Sequence, residues 1–368
     1  MQYGLIMAGG QGTRLWPMSR KAKPKQLLPL VHGRNLLQLS YDRLRGLLPP
    51  ERIYVCTGAA HADAVYEALP ELPRDNLLGE PEGRDTANAV GFAAAVLLKR
   101  DADAVVAVVT ADHVIEPIAE FQKSLKLAFE VAAEQPNALI TFGIIPTYGH
   151  TGLGYIHRGE MLPLKSGAKG AYRVLAFREK PDKATADRYV ESERYYWNSG
   201  MFVWRCDTLL RELATHLPES HKGLARIAAA WGTPEQNAVL GEVYPQLPRI
   251  SIDYAVMEPA GQTKGVARVV TVEMSVEWLD VGSWPALADI LDGDEQGNAL
   301  WCKTCLLVDS DSNIVISDEP EHLIATIGLS DMIIVHTRDV TMVAARRDAQ
   351  RVKEMVARAK ERFGDRYE

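Results

Sequence analysis

No stretch of this chain approaches the ~20 uninterrupted apolar residues that a bilayer-spanning helix requires, so no membrane is expected among its partners. Cysteine is scarce. Cys56, Cys206, Cys302 and Cys305 are too few and too scattered for a disulfide framework, and a reducing cytoplasm is the expected setting. MQYGLIMAGG has no basic leader before its apolar run, and it reads as a first strand rather than a secretory signal. The most informative gap is in charge of one sign. From Met1 to Tyr41 there is no Asp or Glu, while Arg14, Arg20, Lys21, Lys23, Lys25 and Arg34 supply six positive charges. The whole chain carries −7, so the remainder carries −13 (−7 minus 6). Overall acidity argues against broad nucleic-acid binding. A basic head on an acidic protein is either a solvated loop or a place that attracts a compact anion.

What is present fits a soluble globular protein. With 368 residues, 47% hydrophobic and 24% charged, the chain can bury a sizeable core. That length suits one large domain with a small appendage, or two medium domains. YGLIMA (3–8), RIYVCT (52–57), VVAVVT (105–110) and ALITFGII (138–145) are nearly all apolar, as strands buried on both faces must be. Helical patterns lie between them at 35–46, 61–69, 86–99 and 118–134. The helix at 86–99 opens on Thr86 and closes on Lys99 and Arg100, which suits both of its ends. This alternation predicts an α/β fold: a Rossmann-like, mostly parallel sheet with helices on both faces and ligands at the carboxyl ends of the strands. From 150 to 282 the pattern loosens. Strand-like pieces (172–178, 200–204, 266–273) and helices (182–193, 207–215, 219–231) read as additions over the same sheet. We therefore assign 1–290 to one catalytic domain. Short strands at 306–308, 314–316, 323–327, 332–336 and 340–344, followed by a helix at 348–363, make a small β-rich C-terminal unit over 298–368. A short left-handed β-helix is one form that unit could take.

The first strand runs into Ala8-Gly9-Gly10-Gln11-Gly12-Thr13-Arg14. Glycines here allow backbone amides to approach a polyphosphate, and Arg14 can neutralise its oxygens. A plain tight turn would also explain them. The P-loop pattern is absent, and Leu15 stands where the dinucleotide fingerprint needs its third glycine. Trp16-Pro17-Met18-Ser19-Arg20 and Pro24-Lys25-Gln26-Leu27-Leu28 follow. The segment 7–28 resembles the signature of the sugar nucleotidyltransferases, in particular the mannose-1-phosphate guanylyltransferase branch. Further segments along the chain resemble the same family, so the likeness covers roughly 1–290. It implies a glycosyltransferase-A-like version of the fold.

The resemblance also implies roles. Ala8, Gly9, Gly10, Gly12, Thr13 and Arg14 would cradle the nucleotide phosphates, with Lys25 at the α-phosphate. The loop from Glu80 to Ala89 would face the guanine and ribose, with Arg84 and Asp85 as polar contacts. Asn88 replaces the family's usual proline there, and an ordinary capped loop is the alternative. Asp112, just past the most hydrophobic strand, would be a metal ligand and Asp280 the second, holding Mg²⁺, which favours carboxylate and phosphate oxygens. His113 is either a contact or a structural hydrogen-bonder. Gly152, Gly154, Glu179, Lys180 and Asn198 would bind the sugar phosphate, although Leu153 departs from the family's aromatic and Glu179-Lys180 could be a solvated turn. Asp253 either caps its helix or joins the sugar site, and Ser283 is expected to cap the helix after it. Cys302 and Cys305 form a lone C-x-x-C whose simplest reading is two thiols in a β-rich turn.

The implied partners are GTP, mannose 1-phosphate, GDP-mannose and pyrophosphate, with no nucleic acid, and a homodimer is possible. Alternatives are the same chemistry with another hexose 1-phosphate or nucleotide, or a silent nucleotide-sugar regulator. Many family members continue into a barrel with isomerase activity. This chain's 368 residues lead us to expect a single activity.

Overall fold

A computed structural model of the protein describes residues 1–10, 12–262 and 268–368, and these fall into two compact units. The first comprises Met1–Gly9, Ser40–Thr110 and Ile115–Trp278. It holds strands β1 (Gln2–Met7), β2 (Ile53–Gly58), β3 (Leu77–Glu80) and β4 (Val105–Thr110); β5 (His113–Glu116) is a short piece shared with the second unit. Next come β6 (Ala138–Ile144), β7 (Gly154–Met161), β8 (Ala171–Glu179), β9 (Tyr195–Arg205) and β10 (Arg268–Met274). Among the described residues all of these but β5 form a nine-stranded sheet in the order β3-β2-β1-β4-β9-β6-β10-β8-β7. Parallel pairings join β1 to β2 and β4, β2 to β3, and β6 to β10. β9 and β8 run against their neighbours. The mostly parallel expectation holds. The strands of the added segment after 150 join the same sheet, with β9 lodged between β4 and β6, and helices within it pack against the helix Asp85–Arg100.

The central strands read as unbroken apolar runs because both of their faces are covered. Tyr3 and Leu5 of β1 point into a core with Phe92, Ala93 and Leu97 of the helix Asp85–Arg100. On the opposite face, a β-carbon on Gly4 would lie 2.8 Å from a methyl of Leu44 on the helix Leu36–Arg45, so glycine lets that helix come so close. Each aliphatic side chain fully buried this way contributes about 1.5–3 kcal/mol. β1 has β2 on one side and β4 on the other, so the strand order reverses between β1 and β4, the point where open α/β sheets bind their ligands. The chain leaves β1 through Ala8-Gly9 and β4 through Ala111-Asp112.

Several local expectations are corrected. The strand expected at 200–204 begins at Tyr195, because β9 also pairs with β7 and β6 there. β3 and β7 have no counterpart among the expected strands. Of the strand expected at 266–273, residues 266 and 267 lie outside the described residues, as does Gln11. Thr86 does not cap its helix: the helix starts at Asp85 with Arg84 in the cap position, and the Thr86 hydroxyl accepts from the Ile252 amide instead (2.9 Å).

The second unit comprises Gly10–Leu39, Ala111–Val114 and Leu279–Glu368. Strands Ala299–Trp301, Ile314–Ser317 and Met332–His336 stack in parallel, as do Cys305–Val308 and Ile324–Ile327, like successive coils of a β-helix. Asn298 Oδ1 accepts from both the Asn313 amide and its Nδ2, tying one coil's turn to the next (2.9 and 3.0 Å). Ile314, Ile316, Ile333 and Val335 point inward, where they share one core with Leu15, Trp16, Met18, Leu28 and Leu30. Packing therefore groups the segment 10–39 with the C-terminal coils, whereas the division at 290/298 follows chain order. The closing helix is split: a 3-10 stretch Arg346–Arg351 precedes the α-helix Val352–Phe363. All four cysteines are free thiols, and burial pushes Cys302 up to about 12.

Candidate active site

In the second unit the glycine turn leads into a 3-10 turn at Thr13–Leu15, with Gly12 in the left-handed region at φ 63°. Leu15, Trp16 and Met18 anchor the turn in the core, and the Trp16 indole donates to the Tyr367 carbonyl (2.7 Å). With the turn anchored, Arg14 projects from it, and its guanidinium donates to Gln350 Oε1 (3.2 Å). Gly282, which follows Asp280 and Val281, matters here: a β-carbon there would sit 2.9 Å from Arg14 Nη2 and 3.4 Å from Asp280 Oδ1.

Lys25 is 7% exposed, and its stem runs against Gly12. Its ammonium donates to Asp112 Oδ2 (2.6 Å) and to the Val281 carbonyl (3.3 Å). The Val281 amide in turn donates to the Asp112 carbonyl (3.0 Å), which brings Asp280 beside Asp112. One ligand atom from each of Asp112, His113 and Asp280 lies within 4.8 Å of the others. Two carboxylates and an imidazole in that space could together hold a divalent cation. His113 thus belongs to the group, a point its place in the sequence leaves open. Ser283 occupies the cap position of its helix, but its side chain makes no capping hydrogen bond.

The first unit gathers the remaining predicted residues into two groups. In one, the Ala8 amide donates to the Cys56 carbonyl (2.8 Å), and Gly9 follows. Glu80 ends β3, is buried, and accepts from the Tyr244 hydroxyl (2.7 Å). Burial pushes its carboxyl above the usual range, and hydrogen bonds from Tyr244, the Arg84 amide and Cys56 oppose that rise. Arg84 donates to Glu82 (3.2 Å), and Asp85, at φ 64°, accepts from the Thr86 amide (2.7 Å). Asn88, in the family's proline position, donates to the carbonyls of Arg84 and Pro248 (3.1 and 2.6 Å).

In the other group, Gly154 opens β7 opposite Glu179. A β-carbon on Gly154 would lie 2.7 Å from Glu179 Oε2 and 3.7 Å from Asn198 Cβ. Asn198 Nδ2 donates to Asp253 Oδ1 (3.1 Å), and Lys180 pairs with Glu179 (3.2 Å). Asp253 is the first residue of a π-helical stretch whose cap is Ile252, and its side chain faces Asn198 rather than capping. Burial, with Glu179 and Asp85 adding to it, pushes the Asp253 carboxyl up. Gly152 lies in the preceding loop, where its amide donates to His150 Nδ1 (2.9 Å). Sequence reasoning missed Tyr244 and the role of Cys56. Tyr244 is 164 residues from Glu80 and belongs to no motif.

Comparison with known proteins points to one family. The family model described as "Nucleotidyl transferase" matches residues 3–297, and "MannoseP isomerase/GMP-like beta-helix domain" matches 303–359. The chain is 38% identical over 370 residues to the mannose-1-phosphate guanylyltransferase of Klebsiella pneumoniae, covering 99% of this chain and 75% of that protein. The crystal structure of a protein named mannose-1-phosphate geranyltransferase, from Thermus thermophilus, superposes with a TM-score of 0.83 at 34% identity, over 98% of this chain and 99% of that one. That of mannose-6-phosphate isomerase from Helicobacter pylori gives 0.58 at 25%, over 76% and 100%.

Proposed function

Because the chain belongs to the nucleotidyl transferase family and matches a mannose-1-phosphate guanylyltransferase along nearly its whole length, we propose that it joins mannose 1-phosphate to GTP, giving GDP-mannose and pyrophosphate. The observation that carries this reading is a single compact unit holding Arg14, Lys25, Asp112 and Asp280 together.

A phosphate oxygen of mannose 1-phosphate attacks the α-phosphorus of GTP in line, the bond to the bridging oxygen breaks, and pyrophosphate leaves with the electron pair. The attacker is already an anion, so no protein nucleophile or base is required. The difficulty is repulsion between anions and the charge that builds on the leaving group. Positioning and neutralisation are therefore what the protein must supply. Amides of the glycine turn and the Arg14 guanidinium hold the leaving phosphates. Lys25, a mobile point charge on a long stem, stabilises the α-phosphate as charge accumulates. Glu179, Asn198 and Asp253 accept and donate to sugar hydroxyls, with Lys180 on the sugar phosphate and Gly152 and Gly154 leaving room for the ring. Magnesium, held by Asp112 and Asp280, would supply further neutralisation of the phosphate oxygens. Residues 1–290 carry the chemistry in this reading, and 298–368 buttress the segment that bears Arg14 and Lys25.

The Thermus protein's name points to a geranyl donor, but cations and carboxylates at this site suit a nucleoside triphosphate better than a prenyl chain. The test is pyrophosphate release across four nucleoside triphosphates and three hexose 1-phosphates, with and without excess EDTA. The reading requires GTP with mannose 1-phosphate to be the best pair, silenced by EDTA and restored by Mg²⁺. Full activity in EDTA, or a better pair, would overturn it.

A further inference from the structure

The buried contact between Tyr244 and Glu80 has no part in holding phosphate or sugar, yet it involves a carboxylate at the ligand-binding end of the sheet. Tyr244 opens a 3-10 turn after the helix Gln236–Val243. Its ring is fully buried and tilted against Phe92, with centroids 5.8 Å apart, so the hydroxyl cannot swing away. That hydroxyl takes Glu80 Oε1 at 2.7 Å, while Oε2 lies 4.0 Å from where a β-carbon on Gly9 would be. One carboxylate oxygen is thus pinned into the core, and the other faces the glycine that follows β1. A carboxylate offers about four lone-pair sites, so three protein donors do not exhaust it.

We propose that Tyr244 is a positioning residue for base selection: it holds Glu80 so that Oε2 accepts from the adjacent N1–H and 2-amino donors of guanine. The inference rests on the proposed guanylyl transfer. An ionised carboxylate only accepts, which matches two neighbouring donors. A protonated one presents an O–H and mismatches guanine, whereas adenine offers an acceptor at N1. The protonation state of Glu80 therefore decides which base edge it fits. Burial drives the carboxyl toward holding its proton, and the charge of Asp85 adds to that. The Tyr244 hydroxyl leads the opposing contacts, followed by the Arg84 amide and the Cys56 thiol. Removing the hydroxyl lets Glu80 keep its proton to higher pH and frees it to turn.

The test is steady-state pyrophosphate release with GTP and with ATP from roughly pH 6 to pH 9, for the unmodified protein, Tyr244→Phe and Glu80→Gln. Phenylalanine keeps the packing against Phe92. Losing one buried hydrogen bond to a charged group should raise KM for GTP roughly tenfold near neutrality, while kcat at saturating GTP and KM for ATP move by less than about threefold. The deficit should shrink as pH rises and Glu80 ionises in both proteins. Glu80→Gln, which cannot ionise, should show a lower GTP-to-ATP preference that does not vary with pH. That variant decides the matter should Tyr244→Phe prove unstable. An unchanged KM for GTP in Tyr244→Phe, equal losses on both nucleotides, or an undiminished GTP preference in Glu80→Gln would overturn the proposal. Failure of the unmodified protein to use GTP would overturn the guanylyl-transfer reading itself, so the two failures are read from different proteins.

Discussion

Replacing Gly12 by alanine should cripple the enzyme through Lys25, a residue that the substitution does not alter. Gly12 sits at φ 63° and ψ 33°, where a β-carbon costs about 1–2 kcal/mol. The added methyl would lie 2.6, 2.8 and 3.0 Å from Cβ, Cγ and Cδ of Lys25. Carbon contacts settle near 3.5–4.0 Å, so about 1 Å must be found. The nearest atom is Lys25 Cβ, fixed to a buried 3-10 turn rather than being the loose end of a chain, so the turn itself must move. Overpacking of this kind costs about 1–3 kcal/mol, for a total near 2–5 kcal/mol. A shift of ~1 Å also carries the ammonium off its 2.6 Å contact with Asp112, and misplacement of that size costs on the order of 10² in rate. The control is Gly33→Ala, at φ 74° with nothing within 4 Å of the new methyl. It should lose a similar backbone increment and keep its turnover. Thermal melting and pyrophosphate release measure both effects. Gly12→Ala with turnover within about threefold of the unmodified protein, or equal losses in the two variants, would refute the reasoning.

Two further outcomes follow from the site. Lys25→Ala and Asp112→Asn should each lower turnover by roughly 10²–10³ with circular dichroism unchanged; near-normal turnover would remove that residue from the mechanism. Asp253→Asn should raise the melting temperature while weakening use of mannose 1-phosphate. Burial raises the folded-state pKa of Asp253 above its unfolded value, so its stabilising contribution is present at low pH and lost as pH rises through that raised pKa. The variant's advantage should accordingly be largest near pH 8 and fade toward the ordinary carboxylate range. A gap constant with pH would show that ionisation of Asp253 is not its cause.

Legibility varied with how far each signal reached along the chain. β1, β4 and the helix Ile118–Glu134 were plain, because strands covered on both faces read as apolar runs and an amphipathic helix repeats every three to four residues. β3 was hidden: Leu77-Leu78-Gly79-Glu80 is four residues long and half of it is poor strand former. β7, with GYIHRGEM, has little apolar character. The Thr86 cap failed because a tertiary partner, the Ile252 amide, competed for the same hydroxyl.

What the sequence carried by itself was a set of local patterns. The glycines, Arg14, Lys25 and the carboxylates after β4 and before Gly282 lie in motifs a few residues long, of the kind that suits an anionic ligand. Only tertiary structure decided who holds those residues. It packed the segment 10–39 into one core with the C-terminal coils, added His113 to the two aspartates, and set Gly282 under Arg14. It also sent the Tyr244 hydroxyl across 164 residues to a buried carboxylate. The physical reason is that burial and hydrogen bonding act over a few ångströms in space, whereas sequence patterns record only neighbours along the chain.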